Sequence, residues 1–113
     1  MYKMYAIPNC DTVKKAKAFL DKNKIAYDFI DFKKTPLTKQ LIQSWKEYFG
    51  ELPVNKKGTT YKKFKEEFES LSETAKVDFM IEQSSIIKRP IIEKNGKVLA
   101  IGFDEEQYLT WIN

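Results

Sequence analysis

Tyr2-Lys3-Met4-Tyr5-Ala6-Ile7-Pro8-Asn9-Cys10-Asp11-Thr12-Val13-Lys14-Lys15-Ala16 is the stretch on which the fold of this chain turns. Tyr2 to Ile7 has the character of a short buried strand, and Pro8 and Asn9 are turn formers that end it. From Asp11 onward Val13, Ala16, Phe19 and Leu20 recur at helical spacing, while Lys14, Lys15, Lys17, Asp21 and Lys22 take the other face. Cys10 therefore stands at a helix N-terminus. After a polar break at Asn23-Lys24, the aromatic and β-branched run Tyr27-Asp28-Phe29-Ile30-Asp31-Phe32 predicts a second strand. Strand, helix and strand in so short a stretch imply a parallel, right-handed βαβ unit.

Beyond Pro36, Thr38 is placed to cap a helix that buries a large aromatic face of Leu41, Ile42, Trp45, Tyr48 and Phe49, with Gly50 closing it. Glu51 to Thr60 reads as a loop. Tyr61, Phe64, Phe68 and Leu71 predict a further amphipathic helix, and Val77, Met80 and Ile81 another that runs to Gln83. Ile91-Ile92-Glu93 and Val98-Leu99-Ala100-Ile101 flank Asn95-Gly96, a strong hairpin signal, so the last two strands are expected to be antiparallel. A closing helix should start at an Asp104 cap, receive a return bond from Gln107, and bury Tyr108, Trp111 and Ile112. The order βαβ, helices, ββα predicts an α/β fold on a mixed sheet, read as one domain over 1–113 with a helical insertion over about 37–85.

The chain has 113 residues, enough for one core, and its 42% hydrophobic content excludes disorder and low complexity. It contains no histidine, which removes His-based triads, Cys–His dyads and imidazole proton shuttles together. With a single cysteine, neither an internal disulfide nor a thiolate zinc site can be assembled, and no metal is expected. No apolar run reaches the roughly 18 residues a membrane span needs, and the mixed N-terminus does not read as a signal peptide. A cytoplasmic monomer with Cys10 reduced is the expectation. The densest basic stretch, Lys56, Lys57, Lys62, Lys63 and Lys65 with Tyr61 and Phe64 interleaved, is followed at once by Glu66, Glu67 and Glu69, so it reads as a solvated helix face rather than a nucleic-acid surface.

Two residues carry chemistry. A helix N-terminus offers unpaired N–H groups and the positive end of the helix dipole, both of which favour a thiolate at Cys10. The alternative is that Cys10 is a small buried hydrophobe. Asp11 would repel the thiolate, whereas Lys14 and Lys15 would offset that repulsion. A phosphatase loop of the Cys-x5-Arg type fails because Ala16 stands where the arginine would be, and Val13 replaces the second thiol of a Cys-x-x-Cys motif. Arg89, the sole arginine among 20 basic residues, precedes Pro90. Its planar guanidinium can clamp a carboxylate or oxyanion, and an X-Pro bond ahead of a strand is a plausible cis site; a surface Arg beside a Pro that merely starts a strand is the alternative.

Ile7-Pro8-Asn9-Cys10-Asp11-Thr12-Val13-Lys14-Lys15-Ala16, Asn55-Lys56-Lys57-Gly58-Thr59-Thr60-Tyr61-Lys62-Lys63-Phe64, Ile87-Lys88-Arg89-Pro90-Ile91 and Ile101-Gly102-Phe103 together resemble the family of ArsC, Spx and YffB, most closely its single-cysteine, YffB-like branch. The resemblance implies an ArsC-type, thioredoxin-like fold with a helical insertion. It implies Cys10 as the redox thiol, with Arg89 and a cis Pro90 facing it; Lys14, Lys57, Asn9 and Thr12 are the further candidate anion contacts. It implies no bound cofactor, a small thiol or oxyanion as substrate, and glutathione or glutaredoxin as the external thiol that completes turnover. Arsenate reductases of this type hold their anion with three arginines; here Lys57 stands where one is expected, and Gly102-Phe103-Asp104 supplies no counterpart for another. An arsenate reductase or a glutathione-dependent thiol reductase is the expected activity, and the missing arginines favour the second. The competing implication is an Spx-like regulator that binds the C-terminal domain of the RNA polymerase α subunit, without the redox switch that Val13 removes.

Overall fold

The computed structural model describes residues 1–112. The elements in chain order are β1 (Tyr2–Ala6), α1 (Asp11–Lys22), β2 (Tyr27–Asp31), α2 (Lys39–Phe49), α3 (Thr59–Glu69), α4 (Glu73–Glu82), a 3-10 turn (Ser84–Ile86), β3 (Ile91–Lys94), β4 (Lys97–Ile101) and α5 (Glu105–Leu109). They divide into two compact units: Met1–Phe32 together with the stretch from Arg89 onward, and Lys33–Lys88.

The first unit is a four-stranded mixed sheet in the order β2-β1-β3-β4. β1 runs parallel to β2, with Met4 opposite Phe29, and antiparallel to β3, with Met4 opposite Ile92. The parallel pair is joined through α1, as the βαβ reading requires. Met4, Ala6, Ile92 and Ala100 of the sheet pack with Val13, Ala16, Phe19 and Leu20 of α1 and with Tyr108 of α5. Removing each large apolar side chain in this layer from water contributes about 1.5–3 kcal/mol. Asn95 and Gly96 turn the β3–β4 hairpin at φ 52° and 82°, the two positive values that let a two-residue turn match strand twist.

The first two strands end one residue earlier than the sequence suggests, while β3 and β4 each extend one residue further towards their turn, to Lys94 and Lys97. β1 stops at Ala6 and β2 at Asp31, although the Phe32 N–H still donates to the Ala6 carbonyl at 3.1 Å. The end of the chain departs further. Asp104 caps α5 by accepting from the Glu106 and Gln107 N–H groups at 3.1 and 3.4 Å, and the Gln107 side-chain amide donates to the Leu99 carbonyl at 2.9 Å, which ties the helix to β4. α5 is only five residues long and buries Tyr108, so Trp111 and Ile112 reach the core from beyond its end.

In the second unit Thr38 caps α2, its hydroxyl accepting from the Leu41 N–H at 3.1 Å, and Gly50 closes the helix in the left-handed conformation. The buried face is narrower than the sequence pattern suggests. Ile42 and Trp45 are fully buried, whereas Tyr48 and Phe49, in the last turn beside Gly50, are 46% and 37% exposed. α3 and α4 meet through edge-on aromatic pairs, Phe64 with Phe79 at 5.4 Å and Phe68 with Phe79 at 5.6 Å. Ser72 caps α4 through the Ala75 N–H at 3.2 Å. The stretch read as a loop contains order of its own: Val54 bridges Ile87, the Asn55 N–H donates to the Ile86 carbonyl and the Lys88 N–H to the Pro53 carbonyl, both at 2.8 Å. Among the described residues no helix is long and apolar enough to cross a membrane.

Candidate redox-thiol site

Cys10 is the N-cap residue of α1, with extended backbone at φ −107° and ψ 129°, and its carbonyl accepts the first helical bond from the Lys14 N–H at 2.9 Å. The turn that delivers it depends on Asn9, which adopts φ 65°, a left-handed value that asparagine tolerates better than most residues. The thiol thus sits half-buried where the helix dipole begins. Burial alone would push its pKa up. Against that act the Val13 N–H, the Arg89 guanidinium by hydrogen bond and by charge, and the Thr12 N–H, and together they hold the thiol below its ordinary value.

Arg89 reaches this point from the start of β3. The Arg89-Pro90 peptide bond is cis and Pro90 is buried. The Pro90 carbonyl accepts from the Gly102 N–H at 2.8 Å, and the Gly102 carbonyl accepts from the Tyr108 hydroxyl at 2.6 Å. Gly102 lies at φ 87°, a backbone region that residues with a side chain rarely enter.

The first unit brings together Cys10, Arg89 and Pro90, with Asn9, Thr12 and Lys14 beside the thiol in sequence. Thr12 acts through its backbone N–H, while the residue itself is exposed, and Asn9 acts through its backbone turn. The Lys14 side chain is exposed, and neither it nor the Asp11 carboxylate is among the groups that set the thiol. Lys57 belongs to the second unit, exposed in the turn before α3. That unit has a cleft of about 290 Å³ with Phe68, Leu52 and Val54 among its lining residues. Its lysines are matched there: Lys46 with Glu73 at 2.6 Å, Lys76 with Glu69 at 3.3 Å and Lys56 with Glu51 at 3.8 Å. Such a cleft has no surplus charge with which to select an anion. Among the described residues no group of three or more acidic or thiol side chains could hold a metal ion.

Neither the Val13 N–H beside the thiol nor the hydrogen bond between Tyr108 and Gly102 is legible in the sequence. Val13 reads in the sequence as a core residue and as the position of a missing second thiol, and a backbone donor leaves no mark on residue type. A glycine six residues ahead of a buried tyrosine is the only signal for the second pair.

Residues 5–111 match the ArsC family. The chain is 37% identical to an uncharacterized protein of Haemophilus influenzae over 96% of both chains. It is 28% identical to the global transcriptional regulator Spx of Streptococcus agalactiae, over 95% of this chain and 80% of that one. Among solved structures, a YFFB protein superposes with a TM-score of 0.87 at 33% identity over the whole of both chains. A structure described as a possible arsenate reductase from Streptococcus mutans superposes at 0.80 with 32% identity over 98% of both. The order of strands and helices, the thiol at the start of α1 and this agreement along nearly the full length lead to one conclusion: the chain belongs to the ArsC family.

Proposed function

We propose that this protein is a thiol oxidoreductase in which the Cys10 thiolate is the nucleophile and the Arg89 guanidinium holds an anionic substrate group. The observation that carries the reading is the place of Cys10 at the N-cap of α1, where the Arg89 guanidinium and the Val13 and Thr12 N–H groups favour its thiolate. On a mixed disulfide, the thiolate attacks one sulfur, the substrate S–S bond breaks, its second sulfur leaves as a thiolate, and a Cys10 disulfide forms. No second cysteine is present to resolve that bond, so an external thiol such as glutathione or a glutaredoxin attacks it, releases Cys10 and is itself oxidised. Arsenate is a weaker substrate candidate. One guanidinium supplies one fork, and an oxyanion with several oxygens calls for more. This work belongs in a reducing compartment such as the cytoplasm.

The test pairs two measurements. The alkylation rate of Cys10 by a haloacetamide, followed against pH, should show a midpoint below the free-thiol value of about 8.5. Turnover of glutathione mixed disulfides should be lost in Cys10→Ser. A midpoint at or above the free-thiol value, or turnover that survives in Cys10→Ser, would sink the mechanism.

The relatives named Spx support a second reading, a binding protein that contacts the C-terminal domain of the α subunit of RNA polymerase. Under that reading the complex forms equally well with Cys10→Ser, and no thiol substrate is turned over.

A further inference from the structure

We propose that Tyr108 is a positioning residue for the thiol site: its hydroxyl, acting through Gly102 and Pro90, holds the backbone from which Arg89 reaches Cys10. The proposal rests on the reading of Cys10 as a thiolate met by Arg89. Tyr108 is fully buried, and its ring is gripped on three sides by Phe103 at 4.9 Å, Trp111 at 5.0 Å and Phe19 at 5.6 Å. The hydroxyl leaves this aromatic cluster to donate to the Gly102 carbonyl at 2.6 Å, and the Gly102 N–H donates in turn to the Pro90 carbonyl at 2.8 Å. One glycine is thus tied on both sides, to α5 by its carbonyl and to the residue after Arg89 by its amide.

A buried tyrosine hydroxyl needs a partner for its own sake, and any free carbonyl would serve. What matters here is where the bonds lead. They end one residue from the guanidinium that meets the thiol, on a segment that carries the only arginine in the chain. An arginine side chain is long and flexible, so its effect on a fixed sulfur depends on how firmly its backbone is held. The positive φ of Gly102 lets both bonds form from one residue, which a side chain at that position would oppose.

Tyr108→Phe keeps the ring and removes only the hydroxyl. The expected result is a rise of at least about half a pH unit in the Cys10 alkylation midpoint, or about a threefold slower reaction near neutrality. Ile92→Val, a truncation in the same core, lowers stability without touching the hydrogen-bonded chain and should leave the midpoint in place. In the unmodified protein the Gly102 amide resonance should titrate with the Cys10 midpoint, a readout that needs no variant. A wild-type midpoint below that of a free thiol that Tyr108→Phe does not move overturns the role of Tyr108 and leaves the thiolate reading standing. An equal shift in Ile92→Val, or a Gly102 resonance that stays flat through the titration, also overturns it. A wild-type midpoint at the free-thiol value overturns both.

Discussion

The Arg89 guanidinium, just ahead of β3, favours the thiolate of Cys10 at the start of α1 by hydrogen bond and by charge. Burial of the sulfur opposes ionisation, and this contact with the first helical N–H groups outweighs it. The balance is local and every contributor is named, so it can be taken apart one group at a time.

Cys10 should couple stability to pH. Its folded pKa lies below the unfolded value, so between the two the unfolded chain holds a proton that the folded chain does not, and stability rises with pH through that window. The contribution is fully present above the unfolded thiol value and fades as pH falls through the folded one. Denaturant melts of the wild type and of Cys10→Ser across this range should diverge on the alkaline side. Parallel curves would mean a thiol that folding leaves unperturbed.

Arg89→Lys keeps the charge and loses the planar fork. The alkylation midpoint should move up, and KM for an anionic disulfide should rise about tenfold with a smaller change in kcat. If both kinetic constants and the midpoint match those of the wild type, Arg89 serves the backbone and not the sulfur.

Glu69 is held below the usual carboxylate range by the Tyr61 hydroxyl, which donates to it at 2.5 Å, and by Lys76. A depressed carboxylate stabilises the fold above its unfolded pKa and loses that contribution as pH falls through the folded value. Tyr61→Phe should therefore lose less stability than the wild type on acidification. Acid titrations followed by circular dichroism compare the two slopes, and identical slopes would count against the pair.

Thr38→Ala removes the side-chain acceptor at the start of α2. The cost should be about 1 kcal/mol, lowering Tm by roughly 4–8 °C if the chain melts as a small cooperative domain. Thr38→Ser should restore most of it, and calorimetry on the three proteins decides.

Much of the fold was legible because its signals are local. Asn95-Gly96 fixes a hairpin within two residues, Thr38 and Gly50 mark the ends of α2 by capping chemistry, and Val13, Ala16, Phe19 and Leu20 declare the buried stripe of α1. Cys10 was legible for the same reason, since a strand, a turn and a helix meet at it. What escaped depends on distance. Tyr48 and Phe49 share a helical pattern with Ile42 and Trp45, yet only packing decides which positions are covered. The bonds from Tyr108 to Gly102 and from Gly102 to Pro90 join segments by backbone atoms, which every residue possesses.

Glu93, only 5% exposed, stands opposite Lys3 where β3 pairs with β1, while its neighbour Ile92 faces Met4 on the helix-covered side. Side chains alternate along a strand, so a slip of one residue would drive Glu93 in among Met4, Leu20 and Ala100 and leave its charge without a cross-strand cation. A hydrophobe at position 93 would tolerate either alignment. A carboxylate at position 93 therefore makes the slipped register the costlier of the two.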